Sequence, residues 1–273
     1  MPLEGIEWRL ERVLSALQLS DAKPAAESPI TDVNSEHSRG ALPVNRSLVL
    51  VHSPLVGPDT WNLVAHSMVG HGNHVSLPDL TDSITAGPPY LARQVQVIVE
   101  SVEDRPVILV GHSGAGPLLA SAGSSLDNVR GYIFVDAGLP TPGNSWMETI
   151  PEELAAHLCD TADAEGWLPP WPEWWSSDEL AELLPDPLLR ARFVENCPRL
   201  PLSMFEEVHS DAPRWRHAPA AYLRLSAAYQ SQADEARALG WPVAELESHH
   251  LALLTDPDVV VGSLIKLLGQ LDE

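Results

Sequence analysis

Cysteine, basic side chains and long apolar runs are all scarce in this chain of 273 residues, and each shortage removes a class of function. Two cysteines, Cys159 and Cys197, cannot staple a small extracellular scaffold, and they lack the spacing of metal ligands. As reduced thiols they fit a cytoplasmic protein. Lysine and arginine number 16 against 38 Asp and Glu, a formal charge of −22. Such a surface repels phosphate backbones and anionic lipid, so neither nucleic acid nor a membrane surface is expected as a partner. No apolar run approaches the roughly 18–20 residues that span a bilayer, and no basic-then-apolar signal opens the chain. What is plentiful is ordinary core material. Hydrophobic residues make up 44% of a length that suits one large α/β domain with room for an insertion.

The most informative stretch is VILVGHSGAG, Val107–Gly116. Four β-prone residues run into a glycine-bounded turn, and PLLASAG then supplies small and apolar residues suited to a helix. This reads as a buried parallel strand with its crossover helix. A serine on such a turn forms a nucleophile elbow, so tight that only small residues fit two positions either side, here Gly111 and Ala115. Ser113 would stand above the sheet edge with the helix N-terminus beneath it, where developing negative charge is favoured. The same glycines would also serve a plain strand-to-helix turn holding an incidental serine. The motif lacks the Lys-Ser/Thr of a P-loop and the spacing of a dinucleotide fingerprint.

Strand-like runs recur at 47–51, 74–77, 107–110, 131–135, 221–225 and 242–246, mostly separated by helix-length segments. That rhythm predicts an α/β fold with a mostly parallel central sheet and helices on both faces. Residues 47–138 and 218–273 would form this core. Residues 1–46 form an arm: a helix over 5–18, with Ile6, Leu10, Val13, Leu14 and Leu17 on one stripe, then a Pro- and Ser-rich linker. The stripe needs cover, from the rest of the chain or from a second copy in a homodimer. Between 139 and 217 no strand pattern is convincing, proline-broken amphipathic helices take over, and six of the nine tryptophans gather. We read this as a helical lid over the sheet edge where α/β folds bind small molecules. Trp146, Trp171, Trp174 and Trp175 are its candidate substrate-binding residues.

A serine hydroxyl is a weak nucleophile until a base takes its proton. The loop after the last strand, ESHHLALLTDP, offers His249 and His250. Asp256-Pro257 then looks like the N-cap and first residue of a closing helix. Elbow, late histidine and chain order together resemble the α/β-hydrolase fold superfamily. In that family the catalytic histidine commonly lies seven positions before the proline of the last helix, which implies His250 and leaves His249 to packing or solvent.

The resemblance also implies a carboxylate that orients the imidazole. Most relatives carry it after the penultimate strand, but here that loop reads SAAYQSQ and holds no acid. Asp234 and Glu235 fall later, on what looks like a solvated helix face. The other family position is the end of the preceding strand, GYIFVDAG, where Asp136 stands 23 residues beyond Ser113. Asp136 is therefore the expected third member, against the plainer reading of a strand-end cap. For the oxyanion, the Gly114 amide supplies one donor. Relatives take the second from a His-Gly-x loop, whereas this chain reads His52-Ser53-Pro54-Leu55, and proline has no N–H. Leu55 in a shifted loop, the Ser53 hydroxyl, or a weakened hole remain as alternatives. His52 and His112 are expected to be structural.

His209 with Glu206, Glu207 and Asp211 could be drawn as a metal site, but acidic solvated surface is the simpler reading, so no metal and no cofactor are expected. The expectation is thus a cofactor-free serine hydrolase for a small, largely apolar ester or thioester, working through Ser113, His250 and Asp136. A lyase, isomerase or cyclase on the same fold, or a non-catalytic small-molecule binder, are the rivals.

Overall fold

The computed structural model describes residues 45–174 and 176–271. The expected arm helix, its linker and Trp175 lie outside them. Aliphatic runs form β1 (Ser47–Val51), β2 (His74–Ser76), β3 (Val107–His112), β4 (Val129–Val135), β5 (Ala220–Arg224) and β6 (Val243–Glu245). They make one six-stranded sheet in the order β2-β1-β3-β4-β5-β6, every neighbouring pair parallel. Each strand lies within two residues of the run expected from the sequence.

Burial explains why the central strands read as unbroken apolar runs. Val49, Leu109, Phe134 and Tyr222 pack on one face, against α2 (Tyr90–Glu100), α3 (Gly116–Ser124) and α7 (Gln230–Ala238). Leu48, Val110, Ile133 and Leu223 pack on the other, against α1 (Asn62–Gly70) and α8 (Pro257–Gln270). Residues of period two thus supply two cores, which only a sheet covered on both faces requires. The strand order reverses at the adjacent pair β1 and β3, so the loops after them open a crevice at their carboxyl ends.

Between β4 and β5 the chain is helical, as α4 (Glu152–Thr161), α5 (Ser177–Leu183) and α6 (Pro187–Glu195). Ser176 closes a capping box with Glu179, while Asp186 caps α6 ahead of its first-turn proline. Leu158, Leu180, Phe193 and Phe205 from this segment share a core with Val56, Ile84, Tyr229 and Leu251 from around the sheet edge. Cys197 is sunk there, its thiol donating to Phe193 O at 3.2 Å and pushed up to about 12 by burial, whereas Cys159 is exposed.

Three details differ from expectation. A two-residue antiparallel ladder, Trp167–Leu168 with Leu200–Pro201, sits in the segment expected to hold no strand. It is too short to leave a periodic signature. Trp215 belongs to the sheet core, edge-on to Tyr132 and Phe134. Asp256 stands at the N-cap of α8, but its carboxylate accepts from the Thr255 hydroxyl rather than from a helix amide. Among the described residues no helix is long and apolar enough to cross a membrane.

Candidate active site

Ser113 sits at the tip of β3 with φ +57°, the left-handed region that costs a side chain about 1–2 kcal/mol. Its neighbours make the turn possible. A Cβ on Gly116 would fall 2.0 Å from Gly138 O, and one on Gly111 would meet the Leu119 side chain at 3.0 Å. Ala115 is wholly buried. The Gly138 amide donates to Ser113 O at 3.2 Å, tying the turn to the end of β4.

The end of β4 presents Asp136, fully buried and also at positive φ, +43°. Its carboxylate accepts four hydrogen bonds. Oδ1 takes the amides of Leu225 (2.8 Å) and Ser226 (3.0 Å), and Oδ2 takes the Ser226 hydroxyl (2.6 Å) and His250 Nδ1–H (2.8 Å). A carboxylate facing Nδ1 fixes the tautomer, leaving Nε2 to accept from the Ser113 hydroxyl at 3.0 Å. The loop that is empty of acid therefore supplies the donors that hold the displaced acid. Ser113, His250 and Asp136, far apart in sequence, form one continuous hydrogen-bonded chain. His249 does not reach it, because its ring accepts from the Leu251 amide (3.3 Å) and bonds Thr255 Oγ1 (3.1 Å).

His112, wholly buried, donates from Nε2 to His250 O at 3.0 Å, with its ring 4.5 Å from the His250 ring. Burial, and then the neighbouring His250, hold its pKa well below the ordinary histidine value. His52 donates from Nδ1 to Ser53 O (2.8 Å) and accepts the Leu80 amide at Nε2 (2.9 Å). It too is buried and pushed down in pKa. Both rings pin loops rather than face the cavity. The loop that His52 pins bends at Pro54, and there the Leu55 amide donates to Ser53 Oγ at 3.3 Å. Ser53 Oγ lies 3.0 Å from where a Cβ on Gly114 would stand.

A cavity of about 220 Å³ opens beside Ser113, Gly114, Pro54 and Leu55. Its far wall is apolar, with Leu118, Leu139, Trp146, Ile150, Met204 and Phe205. Of the candidate tryptophans among the described residues, Trp146 lines it and Trp171 and Trp174 do not. Trp171 is buried against Phe193 behind His250, and Trp174 ties its indole N–H to Pro169 O at 2.9 Å. These two correct the expectation: their rings serve packing within the inserted segment. Glu207, expected on a solvated face, accepts the Tyr90 (2.7 Å) and Leu91 (2.8 Å) amides that open α2. Among the described residues no group of three His, Cys, Asp or Glu side chains is placed to hold a metal.

Tyr229 escaped the sequence pattern. Buried in the loop after β5, it stacks on the His250 ring with centroids 5.1 Å apart and planes 7° apart. Burial pushes its pKa well up, so the phenol stays protonated. Its signal in the sequence is that it is the one aromatic in SAAYQSQ.

The profile of the alpha/beta hydrolase family matches residues 48–263. No curated protein sequence matches the chain. Among solved structures, an extracellular alpha/beta-hydrolase from a Paenibacillus species is similar with a TM-score of 0.67 and 18% identity, covering 81% of this chain and 98% of that one. Tomato methylketone synthase I aligns at TM-score 0.64 and 17% identity, over 83% and 99% of the two chains. A pyrethroid hydrolase from Sphingobium faniae aligns at 0.59 and 21%, over 82% and 97%. At such identities these likenesses speak for the fold.

Proposed function

Because this chain belongs to the alpha/beta hydrolase family, we propose that it is a serine hydrolase for a small, largely apolar ester or thioester. The observation that carries this reading is the chain from Ser113 Oγ through His250 to buried Asp136, opening on an apolar cavity. In the proposed reaction Ser113 Oγ attacks the acyl carbon while its proton passes to His250 Nε2. The resulting imidazolium is stabilised by Asp136 and gives that proton to the leaving alkoxide or thiolate as the acyl–oxygen or acyl–sulfur bond breaks. Water then repeats the sequence, freeing the acid and restoring Ser113. The Gly114 amide faces the developing oxyanion. The second contact falls to the Ser53–Leu55 pair: with the Leu55 amide donating to Ser53 Oγ, the Ser53 hydroxyl hydrogen is left as the donor beside Gly114.

The inserted helical segment acts as the lid, with Trp146, Ile150, Met204 and Phe205 among the side chains it contributes to substrate binding. A fluorophosphonate probe tests the reading. It should label Ser113, located by peptide mass spectrometry, and Ser113→Ala should abolish the label. Labelling at another serine, or none in the folded protein, would overturn it.

One observation favours a second reading. Pro54 lacks the N–H that an acyl-transfer hole ordinarily takes from that position. A lyase, isomerase or cyclase using His250 as a base would not need it. Turnover of a carbonyl substrate with no covalent Ser113 adduct would select that reading.

A further inference from the structure

Of the polar side chains in the cavity lining that the proposed chemistry does not use, which include Thr141, Thr149, His209, Gln232 and Glu235, one is completely buried. Gln94, on α2, is completely buried and lines the cavity. Its Nε2 reaches only the Met204 thioether, at 3.4 Å, a weak acceptor. Its Oε1 has no hydrogen-bond partner. A buried amide oxygen left unpaired costs about 1–3 kcal/mol, which an apolar residue of the same size would avoid. Leu91, Leu118, Met204 and Phe205 share the cavity lining with it and offer no side-chain donor. The polar groups of the proposed triad are engaged with one another: Asp136 by four donors, and the imidazole by Asp136 and Ser113.

We infer that Gln94 is a specificity-determining residue whose amide recognises a hydroxyl on the substrate, away from the scissile carbonyl. This rests on the reading of the cavity as the substrate site and deepens it, from a small apolar ester to a hydroxylated one. The terminal torsion of glutamine is broad. The amide can therefore turn from the thioether toward the cavity, exchanging a weak contact for a hydroxyl that both donates to Oε1 and accepts from Nε2. Met204, unbranched and flexible, can repack around the bound ligand. A ligand without the hydroxyl leaves the amide unsatisfied, so the site discriminates by the penalty as much as by the bond.

The test uses ketones, which have no acyl–oxygen or acyl–sulfur bond to break, so that it does not depend on an acyl-enzyme. Methyl pentyl ketone, and the same ketone carrying a hydroxyl at the chain end or beta to the carbonyl, are titrated calorimetrically into the full chain. At least one hydroxylated ketone should bind about tenfold tighter than the parent, the order expected for satisfying one buried polar group. In Gln94→Leu that preference should vanish, with the parent ketone binding at least as tightly as it does to the unsubstituted chain, because the unsatisfied amide is gone. If Gln94→Leu does not fold, Gln94→Met, closer in length and flexibility, must show the same loss. Hydroxylated ketones binding no tighter than the parent, no binding by any of them, or a preference that survives both substitutions would overturn the inference. Fluorophosphonate labelling separates the two failures. A labelled Ser113 without hydroxyl preference sinks the role of Gln94 alone. Hydroxyl preference without labelling sinks the hydrolase reading and leaves the recognition site standing.

Discussion

At the scale of single residues, Asp136 is bonded too thoroughly to be a strand-end cap. A cap needs one or two donors, whereas four converge on this carboxylate and hold it against Nδ1 of His250. Asp136→Asn preserves the shape but can leave the imidazole in the wrong tautomer, a change that costs about ten-thousand-fold in kcat where such a triad operates. Steady-state kinetics on any cleaved ester should show that loss for Asp136→Asn and almost none for Asp234→Asn. Equal losses would return the acid to the helix. The oxyanion loop makes a second residue-scale prediction. If the Ser53 hydroxyl is the second donor, Ser53→Ala should lower kcat about a hundredfold with little change in KM, the usual effect of deleting one such donor. Unchanged kcat would hand the role to the Leu55 amide, released from Ser53 Oγ. Asp136 was legible because a missing acid in one loop pointed to the other family position. Its donors were not, because two of the four are backbone amides, which no residue type announces.

Among the elements, what could be read and what could not divide by the range of the interaction. Strands show in the sequence because each carries its apolar pattern within a few residues, and His250 shows because Pro257 fixes the start of α8 nearby. The join between the inserted segment and the core does not show. Glu207 accepts two amides at the start of α2 from a position 117 residues after Tyr90, and nothing local marks it as other than solvated acid. Those amides begin a helix whose N-cap, Pro89, offers no side-chain acceptor, so the carboxylate takes the place of a cap. Trp171 and Trp174 fail in the same way, since a tryptophan cluster reads identically whether it lines a pocket or fills a core. Glu207→Ala should therefore destabilise the fold by about 1–2 kcal/mol, the range for losing a helix cap. The measurement is the urea midpoint of unfolding, and a midpoint within error of the parent would mean that water replaces the carboxylate without cost.

For the whole molecule the question is which way acid pushes it. The formal charge of −22 makes the chain repel itself at pH 7, and acidification toward its isoelectric point near 4.7 relieves that repulsion. Two buried imidazoles push the other way. His52 and His112 are each 1% exposed, and burial is the foremost cause holding both below the ordinary value of 6.5. In the unfolded chain they take up protons near that value, while in the folded protein they stay neutral: protonation would break the bond His52 Nε2 accepts from Leu80, and would bury a charge at His112 Nδ1, which has no partner. The unfolded state then binds more protons, so their contribution is fully present above pH 6.5 and is lost progressively as pH falls below it, toward their folded values. Each proton is worth ~1.4 kcal/mol per pH unit at most. High salt screens the surface repulsion and leaves the buried imidazoles nearly untouched. Urea unfolding at high salt should thus show stability falling from pH 6.5 to pH 5, with His52 and His112 together adding up to two protons to a slope that His209 and His249, also held down by burial, share. His112→Gln, which keeps a donor for His250 O but cannot titrate, should flatten the slope by about one. A slope unchanged by that substitution would mean that His112 is protonated in the fold, and that its ring beside His250 carries a charge the proposed mechanism cannot accommodate.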